Sequence, residues 1–80
     1  MKPSGPTRSA VDLINEGIRL QHTGNYAQSE MVLRTAAEVY PRNYEAHFHH
    51  GWVLGQMCRE GDALVALKRA ASLEPQRAAV

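Results

Sequence analysis

His47, His49 and His50 lie within one short run, "EAHFHHGWVLGQ", that also holds Phe48 and Trp52, the only tryptophan of the 80-residue chain. The sole cysteine, Cys58, follows closely. These residue types suggest a metal site or a thiol–imidazole pair. On a helix turning about 100° per residue, His47, His50, Gly51, Leu54 and Cys58 share one stripe. A metal ion needs convergent ligands, yet Cys58 stands about 12 Å of helical rise beyond His50, and His49 points elsewhere. No H-E-x-x-H or paired C-x-x-C spacing accompanies them. A nucleophilic Cys58–His pair would lack an orienting third group and oxyanion donors. The residues are therefore expected to be structural. His47 and His50 are read as partly buried at a helix interface and hydrogen-bonded to a neighbour, and His49 as solvated. No catalysis, metal or cofactor is expected.

Phe48, Trp52, Gly55 and Gln56 form a second stripe, turned roughly a quarter circle from the first. Whether that stripe is a core or a binding surface depends on the elements around it. Hydrophobic residues make up 44% of the chain and charged residues 21%, which places it with folded globular domains. A chain this short buries only about 60–70% of its unfolded surface, so the core is thin. The net charge is +1 with no cluster of Lys or Arg, which gives nucleic acid no electrostatic footprint. No apolar run approaches the roughly 20 residues needed to span a bilayer. The start "MKPSGPTR" lacks the apolar segment of a secretory signal, and a single cysteine allows no internal disulfide. A reducing, cytoplasmic setting is the expectation.

The spacing predicts four helices. Residues 1–8 read as a flexible lead-in rich in Pro and Gly. Ser9 offers a helix cap with Asp12 three positions on, and Val11, Leu13, Ile14, Ile18 and Leu20 carry helical spacing from Ala10 to about His22. Thr23, Gly24 and Asn25 break it, and Asn25 can cap a second helix through Leu33, Ala36, Ala37 and Val39, stopped by Pro41. Asn43 can cap a third helix, from about Tyr44 to Cys58. Arg59, Glu60 and Gly61 read as a turn, with Asp62 capping a fourth helix through Leu64, Leu67, Ala70, Ala71 and Leu73 before Pro75. No alternating Val/Ile/Thr-rich stretch argues for a strand.

Shifting the sequence by 34 residues superposes Gly17 on Gly51, Leu20 on Leu54, Leu33 on Leu67, Ala36 on Ala70, Ala37 on Ala71 and Pro41 on Pro75. A glycine inside a helix costs about 1 kcal/mol against alanine, a cost tolerated where another helix must come close. On these residues the chain resembles two tandem tetratricopeptide (TPR) repeats, residues 9–43 and 44–77, with a tail at 78–80. In the first repeat Leu13, Gly17, Leu20, Gly24, Tyr26, Leu33, Ala36 and Pro41 stand on the family's signature positions, with Ser29 in place of a small alanine. The second keeps Gly51, Leu54, Ala63, Leu67, Ala70 and Pro75. It departs at His47, at His50 and at Cys58, which replaces the usual turn glycine.

The resemblance implies an all-α fold of two antiparallel helix-turn-helix hairpins stacked as a short right-handed solenoid. It also implies that the glycine stripe faces the partner helix and that the second stripe lines a concave groove that receives a partner's peptide or helix. Here the groove would comprise Ile14, Ile18, Gln21, His22, Phe48, Trp52 and Gln56. The alternative is that the four large apolar members are core. Recognition of an acidic chain terminus is disfavoured, because Ile14 and Ile18 stand where the family's carboxylate-binding groups would be. The leading expectation is a non-enzymatic interaction module for a protein or peptide partner, with no nucleic acid or membrane involved. Stacked repeats usually number at least three with polar ends, and Leu64 and Val65 lack cover. Self-association, or membership of a longer array, is thus the second expectation. By resemblance, such an array could precede a bacterial sulfotransferase or glycosyltransferase domain, or form a small secretion chaperone.

Overall fold

The computed structural model describes residues 8–73. The expected lead-in up to residue 7, the stop at Pro75 and the tail at 78–80 lie outside the described residues. Among those described the chain is all-α, with α1 at Ala10–His22, α2 at Tyr26–Val39, α3 at Tyr44–Gln56 and α4 at Glu60–Leu73. Local chemistry sets most of these ends. The Ser9 hydroxyl accepts a hydrogen bond from the Asp12 amide at 3.1 Å, and the Asn43 side chain accepts one from the Ala46 amide at 2.9 Å. Each satisfies an amide that has no partner inside its own helix. Asn25 stands at the N-cap of α2 without a side-chain cap bond, because its amide donates to the Thr23 hydroxyl instead.

Two expected boundaries are corrected. Helix α3 ends at Gln56, not Cys58. Helix α4 starts at Glu60, so Asp62 is in its first turn and accepts hydrogen bonds from the Arg59 guanidinium at 2.9 and 3.1 Å, rather than capping it. The cause of both is a shared helix ending. The Asn25 amide bonds to the Leu20 carbonyl and the Gly24 amide to that of Gln21; 34 residues later Arg59 bonds to Leu54 and Cys58 to Gly55. This paired closure requires a left-handed residue, and Gly24 has φ 83° while Cys58 has φ 62°. Cys58 therefore holds the turn that its counterpart forms with glycine, at a steric cost of about 1–2 kcal/mol.

The repeat is equally exact in the packing. A Cβ placed on Gly17 would fall inside the Leu33 side chain, and one on Gly51 would lie 2.8 Å from Leu67 Cγ. Both glycines let the facing leucine of the next helix close onto backbone. Ser29, wholly buried, donates its hydroxyl to the Gly17 carbonyl at 2.7 Å across the α1–α2 contact.

Helix α1 packs on α2, α2 on α3 and α3 on α4, while α1 also touches α3. Helix α4 rests on α3 alone, with no close backbone approach to α1 or α2. This order is that of two stacked hairpins. The main core joins Leu13, Ile14, Leu33, Ala36 and Ala37 of the first hairpin to Ala46 and Val53 of the second. A smaller cluster of Leu54, Ala63 and Ala66 holds the second hairpin together. Burying side chains such as Leu33 and Val53 stabilises by about 1.5–3 kcal/mol each.

Candidate functional site

Helix α3 has two working faces, and each carries part of the histidine run. One face is inward. His47 is buried, and its Nε2 lies 2.8 Å from the Pro41 carbonyl. A carbonyl only accepts, so Nε2 bears the hydrogen. His50 Nε2 lies 3.0 Å from Glu30 Oε2, and the Arg34 guanidinium is 3.5 Å from the same oxygen. Glu30 is itself buried, so these two contacts offset the cost of removing a carboxylate from water. The reading of His47 and His50 as interface residues bonded to a neighbour matches these contacts. Above them, α2 and α4 flank an open cleft of about 550 Å³, floored by His47, His50 and Leu54. Its walls carry both signs of charge, including Arg34, Glu38, Asp62 and Arg69. Cys58 is exposed outside the residues that line this cleft. No group of three or more His, Cys, Asp or Glu side chains is arranged to hold a metal ion among the described residues.

The other face of α3 is aromatic. Tyr44, Phe48 and Trp52 recur every four residues, one helical turn apart. The Tyr44 and Phe48 rings stack with centroids 5.8 Å apart, and Phe48 meets Trp52 at 6.3 Å. His49 packs edge-on against Phe48 at 5.3 Å. It is half-buried, not solvated as expected, and loss of hydration lowers its pKa while the Glu45 carboxylate pulls the other way. Trp52 leaves 52% of its surface in water, a large exposure for the bulkiest apolar side chain of the molecule.

The expected groove is only partly assembled. Phe48 and Trp52 share a wall, half-buried and exposed respectively. Ile14 is not on it: at 7% exposure it is core, covered where α1 meets α3. Ile18 is half-buried against that same core. Gln21 is half-buried, while His22 and Gln56 are exposed. Tyr44, expected only to begin α3, stands four residues before Phe48, a spacing that marks it as part of the same row. Glu30 also went unnoticed, because its partner His50 is 20 residues away and on another element.

Set against protein-family models, curated proteins and solved structures, the chain finds no match in any of the three.

Proposed function

We propose that this chain is a two-repeat TPR-like module, without catalytic activity, that binds a peptide or helix of a protein partner along the aromatic row of α3. The observation that carries this reading is the exposure of Trp52 at the end of a continuous ladder with Phe48 and Tyr44. Aromatic side chains with restricted rotamers supply large contact area at low entropic cost, and such residues dominate interface energetics. The TPR-like part, including a right-handed solenoid path, is supported by the 34-residue recurrence of the Gly–Leu contacts and of the helix endings. The non-catalytic part is supported by the contacts of His47 and His50, which are engaged with Pro41 and Glu30 and lie apart from the exposed thiol. A reducing, cytoplasmic setting belongs to the same reading, on the strength of a lone unpaired cysteine. No helix of the described residues is long and apolar enough to cross a membrane.

The test is selection of a displayed peptide library on the intact chain, followed by titration of the enriched peptides while Trp52 fluorescence is recorded. Binding should shift the Trp52 emission to shorter wavelength. Trp52→Ala should abolish binding, read by polarisation of labelled peptide, while the helical circular dichroism is retained. Peptides that bind the variant as well as the parent chain, or that leave Trp52 emission unmoved, would refute this use of α3.

A further inference from the structure

The internal repeat shows what the outer face of α4 is built to meet. Helix α2 presents Glu30, Leu33 and Ala37 towards its neighbours, where they are 7%, 0% and 8% exposed. Their counterparts 34 residues on are Leu64, Leu67 and Ala71. In α4 Leu64 is 55% exposed, Leu67 is 36% exposed and Ala71 is exposed. The difference is the covering helix: α3 lies on α2, and among the described residues no element lies on α4 beyond its own partner α3. This stripe is more apolar than the one that α3 covers, since Leu64 replaces Glu30.

Among the described residues, the face of α1 equivalent to the one by which α3 enters the first hairpin does not match it. The residues of α3 that enter the first hairpin are Ala46, His50 and Val53, and their counterparts on α1 are Asp12, Glu16 and Arg19. Glu16 is held by Arg8 and faces Arg19 at 3.9 Å. Head-to-tail stacking would force these charges onto Leu64 and Leu67, at a desolvation cost no contact there repays. The face of α4 does match itself. At 100° per residue Glu60, Leu64, Leu67, Lys68 and Ala71 fall within one stripe, with Glu60 one turn before Leu64 and Lys68 one turn after. Glu60 and Lys68 have no ion pair among the described residues.

We propose that a second copy of this chain covers the face. Two α4 helices pack antiparallel about Leu64, so that Glu60 of each copy meets Lys68 of the other and Leu67 lies over Gly61. A Cβ at Gly61 would meet nothing within 4 Å, so the backbone there is open to close approach. The arrangement is two-fold symmetric: the Glu60–Lys68 and Leu67–Gly61 contacts each occur twice, and Leu64 meets its own copy on the axis. It uses a different face from the aromatic row, and either can stand without the other.

Sedimentation velocity of the full chain, from micromolar to near-millimolar concentration, tests this. The parent chain should pass reversibly from monomer to dimer. Leu64→Glu should raise the dimer dissociation constant by about tenfold or more, since it sets two carboxylates face to face at the axis. Glu60→Lys and Lys68→Glu should each weaken the dimer, and the double variant should restore it towards the parent value with an unchanged dichroism spectrum. A monomer at the highest concentration overturns the proposal. So does a dimer indifferent to Leu64→Glu, one that the paired reversal fails to restore, or one broken by Trp52→Ala instead.

Discussion

The two hairpins repeat one design, yet they bury it to different degrees. Gly17 faces Leu33 and Gly51 faces Leu67 through the same close approach, and both first helices end in the same pair of backbone hydrogen bonds. Leu33 is nevertheless wholly buried, while Leu67 keeps 36% of its surface in water. The first hairpin is sealed because α3 lies across it. The second has only its own small cluster of Leu54, Ala63 and Ala66. In a stack of this kind a hairpin fixes its own geometry locally, but the burial of its residues is decided by the next hairpin along. The aromatic row and the face of α4 both lie in the second hairpin, whereas the large exposed apolar side chains of the first are Val11, Met31 and Val39.

Paired truncations should break this equivalence most visibly. Leu33→Ala should cost about 3–5 kcal/mol and Leu67→Ala about 1–2 kcal/mol, measured by urea denaturation. For a chain whose whole stability is of the order of 5–10 kcal/mol, the first loss approaches unfolding. Equal losses would mean that the second hairpin is sealed as well. The glycines give the next largest contrast. Gly17→Ala should destabilise by about 1–2 kcal/mol, since overpacking against Leu33 exceeds the gain in helix propensity. Gly51→Ala should lose under about 1 kcal/mol, because Leu67 has open space to move into, although the Ala63 carbonyl stays at 3.2 Å.

The helix endings sharpen the comparison in the opposite sense. Cys58→Gly should stabilise by about 0.5–1 kcal/mol, relieving a left-handed cysteine against the greater freedom of glycine in the unfolded chain. Gly24→Ala should destabilise by about 1 kcal/mol at the matching position. Thermal melts suffice to compare them.

The smallest effect is the pH response of His49. Its pKa in the fold is lowered from the ordinary value of about 6.5, so the unfolded chain binds more protons in the interval between the two values. Stability should fall as pH drops from about 6.5 through the lowered value, and His49→Gln should flatten that part of the profile. Because His49 is only half-buried, the change in melting temperature should be slight.

Features written in neighbouring residues were legible beforehand. Ser9 and Asn43 cap within three residues, Gly24 and Pro41 interrupt helices where they stand, and the 34-residue shift of small residues gave the order and pairing of the helices. What could not be read depends on distant chain. Ile14 and Phe48 occupy equivalent positions, and pattern alone assigned them one role. Only the contact of α1 with α3 makes Ile14 core and leaves Phe48 half open. The start of α4 was misplaced for a related reason. Cys58 stands where the turn glycine is usual, yet the backbone bonds closing α3 hold it in the glycine conformation, and α4 begins at Glu60, three residues before the Ala63 that an Asp62 cap implies. The carboxylate under His50 was invisible because Glu30 reads, in sequence, as a solvated charge on α2.

The order of packing is the claim on which the sealed first hairpin, the open α4 and the exposed row all rest, and methyl NOE spectroscopy reads it directly. Cross-peaks should link Ile14 on α1 to Ala46 or Val53 on α3, with none between α1 and the buried Ala66 and Ala70 of α4. Cross-peaks from Ala66 or Ala70 to α1, as in a bundle closed on itself, would contradict the account.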